Sequence, residues 1–128
     1  GRRCELAYAW RSLWDSGAAL AFGSDCPVET LDPLAGIHAA VTRRRADGSP
    51  GPEGWIPAQR LTVEQAVYAY TLGAAGASAE AAMKGSLVSG KLADLVVLSR
   101  DIFRIEPMEI LDARVEMTVF DGRIVYEA

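Results

Sequence analysis

The chain has 128 residues, half of them hydrophobic, and a formal net charge of −4. Its length fits about one domain, and the acidic balance argues against a nucleic-acid partner, because phosphate contacts require a basic stripe. No apolar run has the length of a transmembrane helix, so we expect no membrane insertion.

Apolar residues at helical spacing over residues 4–16 predict a first helix, which ends at Gly17. The next apolar run, residues 19–22, is typical of a strand buried on both faces. A helix that leads directly into a buried strand indicates an α/β protein. Asp25 follows this predicted strand, where ligands of α/β proteins gather. From this position alone, a turn residue explains Asp25 more simply than a functional carboxylate.

Asp32 and Pro33 predict the start of a second helix, with Asp32 as its N-cap. The helix runs to the arginines at 43–45, which we interpret as a solvated helix end, where cations suit the helix dipole. His38 lies within this helix and has no second histidine at ligand spacing, so we interpret it as a packing or surface residue. The Gly- and Pro-rich segment 46–60 is long enough for a lid or an active-site flank, with Trp55 as the candidate substrate contact, but an ordinary surface loop explains it better.

The second half of the chain changes character after Gly85. Residues 62–65 form a capping box that begins a third helix, and a short helical piece is predicted at 78–83. A strand is predicted at 94–99, followed by a hairpin of residues 115–120 and 123–126 around the turn Asp121-Gly122. We therefore divide the chain into a helical part, residues 1–83, and a β-strand subdomain, residues 84–128.

Two further patterns have simple interpretations. GSLVSGKL at 85–92 nearly matches a phosphate-binding loop, but Leu92 replaces the required hydroxyl and a strand follows where a helix is needed. Two glycine turns before a strand explain it better, which leaves nucleotide binding as a weak alternative. Cys4 and Cys26 form neither a CxxC pair nor a disulfide framework. They predict half-buried thiols in a reducing, cytoplasmic compartment.

Several motifs occur together in a familiar order. They are GSDCPVE at 23–29, DPL at 32–34 with AAVTR at 39–43, LTVEQA at 61–66, KGSL at 84–87 and GKLADLVVL at 90–98. This set resembles the amidohydrolase superfamily, and more narrowly the amidohydrolase-3 branch with its YtcJ-like and N-substituted formamide deformylase-like proteins. The resemblance covers nearly the whole chain. It implies an α/β fold, namely the last helix–strand–helix units of a (β/α)8 barrel followed by antiparallel strands of a small β-sandwich.

The resemblance also implies a role for Asp25. In this family the barrel holds one or two metal ions through an HxH pair, later histidines and an aspartate after the last strand. Asp25 matches that aspartate, which is both a metal ligand and the catalytic carrier of a proton from water to the leaving group. A divalent, zinc-like metal and hydrolysis of C–N bonds in amide-like small molecules are therefore implied for the complete enzyme.

This chain has one histidine and no HxH pair. We expect it to be a piece of a longer protein that neither binds metal tightly nor turns over substrate by itself. A strand at 19–22 without neighbours would favour association, so we also expect a homo-oligomer or a companion chain. The alternative is a non-catalytic, truncated module that folds as a small oligomer with a binding or structural role.

Overall fold

The computed structural model describes residues 2–128. Four short α-helices come first and a three-stranded sheet comes last among these residues. Their bounds are α1 (Trp10–Asp15), α2 (Pro33–Thr42), α3 (Val63–Tyr68), α4 (Ala74–Ala77), β1 (Leu95–Leu98), β2 (Val115–Phe120) and β3 (Arg123–Glu127). A π-helical turn, Ala69–Gly73, joins α3 to α4, and 3-10 helices occupy Arg2–Leu6, Pro57–Gln59 and Pro107–Asp112.

The beginnings of α2 and α3 confirm the predicted caps. The Asp32 carboxylate accepts a hydrogen bond of 2.9 Å from the backbone N–H of Leu34, and Pro33 takes the first helical position. At α3, the Thr62 hydroxyl accepts from the Gln65 N–H at 3.2 Å, and the Gln65 side chain accepts from the Thr62 N–H at 2.9 Å. Both caps satisfy backbone donors that a helix start would otherwise leave unpaired.

The main core lies between α2, α3 and the 3-10 helix Pro107–Asp112. Its buried members are Leu20, Leu34, Ile37, Ala40, Val41, Leu61, Ala66, Ala69, Ile102, Ile110 and Ala113. Three of these residues follow position 84, so the core extends across the predicted boundary between residues 83 and 84. That boundary stays a prediction.

The sheet is antiparallel, with β2 in the middle between β1 and β3. The predicted turn between β2 and β3 is confirmed, since Asp121 and Gly122 have φ values of 49° and 73°. Two successive positive φ angles suit a two-residue hairpin and favour Asp followed by Gly. Every residue of β3 is exposed, so the sheet leaves apolar surface uncovered by the described residues.

The predicted strand at 19–22 is wrong. These residues form no strand, and Phe22 makes one backbone hydrogen bond, from its N–H to the Ala69 carbonyl at 2.9 Å. A parallel strand needs a neighbouring strand, and the three strands found in residues 2–128 form a separate sheet. The segment is therefore positioned by core packing and not by a ladder of hydrogen bonds.

Two helix predictions also need correction. The helix expected over residues 4–16 is divided into the 3-10 helix Arg2–Leu6 and α1, because Tyr8 between them has a φ of 51°. A left-handed residue cannot continue a right-handed helix. The helical piece expected at 78–83 is a series of turns, in which Ala79 has a φ of 60°.

Candidate functional site

Asp25 occupies an exposed turn directly after the segment that Leu20 anchors in the core. Its φ is 53°, and its carbonyl accepts a hydrogen bond of 2.8 Å from the N–H of Val28. Aspartate is among the few residues that adopt this left-handed conformation at small cost. The structure thus shows the turn that the sequence suggested, with the carboxylate left exposed to solvent.

The Asp25 cleft is an open cavity of about 710 Å³ along one side of α2. At one end it is lined by the acidic residues Asp25, Glu29 and Asp32. At the other end it is lined by Arg44 and Arg45, with Tyr8, Trp10, Gly36, Ala39 and Tyr70 among the walls between. A concave site with a few polar groups among apolar walls is the usual form of a small-molecule site.

Tyr70 forms a wall of this cleft and depends on a small residue opposite. A Cβ at Gly36 would collide with the Tyr70 ring, so the glycine in α2 lets the ring lie against the helix. Burial, followed by the charge of Asp32, raises the pKa of the Tyr70 hydroxyl, which therefore stays protonated. The sequence offers one signal for this close contact, namely the glycine in the middle of α2.

The prediction of a solvated helix end is wrong for Arg43, which is buried. This C-cap residue is 7% exposed, with a φ of 57°. Its guanidinium donates to the backbone carbonyls of Trp55, Tyr8 and Ala7 at 2.9, 2.9 and 3.3 Å. The same group lies 4.9 Å from the centre of the Trp10 ring and 5.0 Å from that of Trp55. Burial lowers the pKa of Arg43, and the hydrogen bonds and cation–π contacts offset the loss of hydration.

Trp55 consequently belongs to a packed cluster and not to an independent surface loop. Its N–H donates to the Arg43 carbonyl at 2.8 Å, and its ring meets that of Tyr8 edge-on with centroids 6.3 Å apart. A Cβ at Gly54 would collide with the Thr42 carbonyl oxygen, so a glycine is required where the loop passes the end of α2. The loop 46–60 is thereby fixed against the arginine end of the cleft.

His38 is a packing residue, as predicted. It is 2% exposed, and its Nε2 lies 3.3 Å from the Met108 sulfur and 3.4 Å from the Thr42 hydroxyl. Burial, with a smaller contribution from the charge of Arg44, lowers the pKa of His38. The imidazole therefore stays neutral in the fold at neutral pH.

The described residues do not fit a complete metal centre. Residues 2–128 contain no group of three His, Cys, Asp or Glu side chains placed to hold a metal ion. Asp25 can offer one carboxylate to the cleft. His38 also lines the cleft, but it is 2% exposed and its Nε2 lies 3.3 Å from the Met108 sulfur. Any further ligands would have to come from outside this chain.

Two remaining sequence features are the cysteines and the loop before β1. Cys4 and Cys26 are both exposed free thiols, which corrects the expectation of half-buried side chains.

In the loop before β1, the Lys91 ammonium donates to the Ser86 hydroxyl at 2.7 Å, and Gly85 and Gly90 have φ values of 88° and 93°. This loop has the expected two glycine turns before a strand. No helix within the described residues is long and apolar enough to cross a membrane.

Comparison with known proteins decides the family. The model of the amidohydrolase-3 branch, described as amidohydrolase family, matches residues 2–126. The chain belongs to the amidohydrolase family. The YtcJ protein of Bacillus subtilis is 38% identical over 125 residues, covering 98% of this chain and 23% of YtcJ. N-substituted formamide deformylase of Arthrobacter pascens is 33% identical over 117 residues, covering 91% of this chain and 21% of that enzyme.

A solved structure supports the fold. The crystal structure of an amidohydrolase from Thermotoga maritima matches with a TM-score of 0.70 and 21% identity, covering 94% of this chain and 26% of that one. The chain therefore spans about a quarter of the length of the relatives it matches. Membership of the family confirms the predicted resemblance. The predicted barrel stays a prediction, because the chain matches only about a quarter of the length of these relatives.

Proposed function

We propose that this chain is the C-terminal portion of a metal-dependent amidohydrolase that hydrolyses C–N bonds of amide-like small molecules. The observation that carries the proposal is the position of Asp25, an exposed carboxylate at the acidic end of the Asp25 cleft, within the GSD motif of an amidohydrolase. The cleft would lie at the mouth of a (β/α)8 barrel that the rest of the protein completes. The sheet would belong to a small β-sandwich beside that barrel.

Asp25 would act as a proton carrier. Its carboxylate would accept a proton from the attacking water as the C–O bond forms, and would return it to the nitrogen as the C–N bond breaks. Exposure in an open cleft suits this role, because both the water and the leaving amine must come within hydrogen-bond distance of one oxygen. In the complete enzyme Asp25 would also be one ligand of a divalent, zinc-like metal ion.

The chain alone would be inactive under this proposal. It offers one carboxylate at the candidate position, and the other metal ligands would lie in the preceding three quarters of the enzyme. Since the relatives include a formamide deformylase, N-substituted formamides are the first substrates to test. Its place of action would be the cytoplasm.

The decisive experiment compares Asp25→Asn with the unmodified sequence in the longer protein that includes the N-terminal region. Loss of the proton carrier should lower kcat for hydrolysis of N-substituted formamides, read as formate release, by about 10²–10⁴-fold. Glu29→Gln is the matched control, since Glu29 is also exposed and lines the same cleft. An unchanged rate in Asp25→Asn would refute the assignment, and an equal loss in Glu29→Gln would point to a general charge effect.

A second candidate function rests on the sheet. Exposed apolar side chains lie on both faces of the sheet (Val96, Val97, Phe120, Ile124, Val125 and Tyr126), and they suit a non-catalytic module that associates through one of these faces. Such a module would form homo-oligomers or bind a companion chain. Sedimentation across a hundredfold range of concentration tests this, and a compact monomer throughout would count against it. A coding sequence upstream that includes an HxH pair after an apolar run would favour the enzyme instead.

A further inference from the structure

The arginine end of the Asp25 cleft opens into a second cavity. This arginine–aromatic cavity has a volume of about 610 Å³ and is lined by Tyr8, Trp10, Trp55 and the arginines at 43–45. It shares Tyr8, Trp10, Ala39, Arg44 and Arg45 with the Asp25 cleft, so the two cavities adjoin, and together they are called the groove.

Aromatic rings form the walls of the arginine–aromatic cavity and remain accessible. Tyr8 is 68% exposed and Trp55 is 40% exposed, although both are large apolar side chains. The Trp55 ring lies against the Arg43 guanidinium, and the Tyr8 ring meets Trp10 and Trp55 edge-on with centroids 5.8 and 6.3 Å apart. Exposed rings held in a concave site can stack on a planar ligand without first being ordered.

The charge of the cavity comes from Arg44 and Arg45 and not from Arg43. Arg43 uses its guanidinium for three backbone carbonyls. Arg44 donates from Nε to the Gly48 carbonyl at 3.2 Å, which leaves its two terminal nitrogens without a hydrogen bond to the described residues. Neither Arg44 nor Arg45 forms an ion pair within residues 2–128.

A half-buried guanidinium without a carboxylate partner suits an anionic ligand. Its planar pair of N–H groups matches the two oxygens of a carboxylate, and partial burial of Arg44 strengthens the attraction. The positive field of Arg44 also acts inside the protein, where it contributes to the lowered pKa of His38. The groove is thus acidic near Asp25 and basic at its far end.

We infer that the arginine–aromatic cavity binds the non-reacting end of the substrate, an aromatic ring that carries a carboxylate. The ring stacks among Tyr8, Trp10 and Trp55, and the carboxylate pairs with Arg44 and Arg45. The reactive C–N bond of the same molecule then extends along the groove towards Asp25. The link to catalysis rests on the proposed function, whereas binding by the cavity does not.

Calorimetric titration tests binding directly, with phenylacetate, its neutral analogue phenylacetamide and acetate as probes. Phenylacetate should bind at least tenfold more tightly than phenylacetamide, because the amide loses the charge-assisted hydrogen bonds. Acetate, which lacks the ring, should also bind at least tenfold more weakly. Equal affinities for phenylacetate and phenylacetamide would overturn the carboxylate assignment, and equal affinities for phenylacetate and acetate would overturn the role of the rings.

Variants locate the site. Arg44→Gln should weaken phenylacetate binding about tenfold, whereas Arg123→Gln on β3 should leave it unchanged. Arg45→Gln is a second variant that alters an exposed residue and should not disturb folding. Circular dichroism verifies the fold of each. If neither cavity variant weakens binding, or if the folded unmodified chain binds no phenylacetate, the inference is wrong.

Asp25→Asn separates this inference from the proposed function. It should retain phenylacetate affinity in the titration while losing hydrolysis in the longer protein. Retained hydrolysis with intact phenylacetate binding would reject Asp25 as proton carrier and leave the cavity assignment standing. If Asp25→Asn loses hydrolysis but the unmodified protein does not bind phenylacetate, the cavity assignment is rejected and Asp25 remains the proton carrier.

Discussion

The helices α2 and α3 and the strand β3 differ in how far their apolar side chains are buried. Ala40 in α2 and Ala66 in α3 are completely or almost completely buried, whereas Ile124 and Val125 in β3 are more than half exposed. The helices have partners within the chain, namely each other and the 3-10 helix Pro107–Asp112. The sheet pairs its strands with one another, and although Leu98 of β1 packs against the core, the apolar side chains of β3 stay exposed among residues 2–128. The cleft can therefore be held by a core of its own, while the sheet depends on a further surface.

Truncating one isoleucine in the main core and one in the sheet gives the largest contrast. Ile110 is 0% exposed and Ile124 is 57% exposed. Ile110→Ala should lower the free energy of unfolding by about 2–5 kcal/mol, because it removes buried methyl groups and leaves a cavity. Ile124→Ala should change it by less than about 0.5 kcal/mol, as expected for an exposed position. Urea unfolding of the chain measures both.

The same pair of variants can also contradict the difference in burial between the core and the sheet. If Ile124→Ala destabilises the chain as much as Ile110→Ala, and more so at high protein concentration, then the sheet is covered in solution by a second copy. A large loss that does not depend on concentration would instead contradict the exposed position of Ile124.

Arg43 gives the next largest effect, since it connects the N-terminal segment and the loop 46–60 to the end of α2. Arg43→Ala leaves three backbone carbonyls without their donor and removes the cation between Trp10 and Trp55. We expect a loss of about 2–3 kcal/mol in the free energy of unfolding. Arg45→Ala, at the exposed neighbouring position, is the control and should change it by less than about 0.5 kcal/mol.

Tryptophan emission provides a second measurement for Arg43→Ala. Trp55 should become more exposed when the guanidinium no longer holds it, so the emission maximum should move to longer wavelength in the folded state. Equal stability of the Arg43 and Arg45 variants would show that the hydrogen bonds and cation–π contacts of Arg43 contribute nothing net.

What the sequence could predict in this molecule was local. The N-cap at Asp32, the capping box at Thr62 and the turn at Asp121 each depend on residues within about four positions, and all three are present as expected. The family resemblance added Asp25 as the candidate carboxylate, which the residues alone would have left as a turn. The structure shows both the turn and its exposure.

What the sequence could not predict depends on distant parts of the chain. Arg43 is buried because residues 8 and 55 bring their carbonyls and neighbouring rings to it, and no pattern around residue 43 indicates those partners. The segment 19–22 has the apolar composition of a strand, but pairing requires neighbours that residues 2–128 do not supply. The arginine–aromatic cavity was missed for the same reason, since its walls come from three separated segments.

The smallest predicted effect concerns His38, the single histidine of the chain. Burial and the charge of Arg44 hold its pKa below the value of about 6.5 expected in the unfolded chain. Below that pH the unfolded state therefore binds a proton more readily than the folded state, and stability falls as the pH decreases from 6.5 towards the folded pKa. Above about pH 7 both states are neutral and the contribution of His38 no longer changes with pH.

His38→Gln isolates this contribution because no other histidine titrates in the same range. The difference in free energy of unfolding between the two proteins should be constant above pH 7, and the unmodified chain should lose stability relative to the variant as the pH falls from 6.5 towards the folded pKa. Urea unfolding at a series of pH values measures the difference, and NMR titration of the imidazole reads the folded pKa directly. A folded pKa at or above 6.5 would mean that the helical core admits water at His38. The helical part would then be less closed than its packing against Met108 and Thr42 indicates.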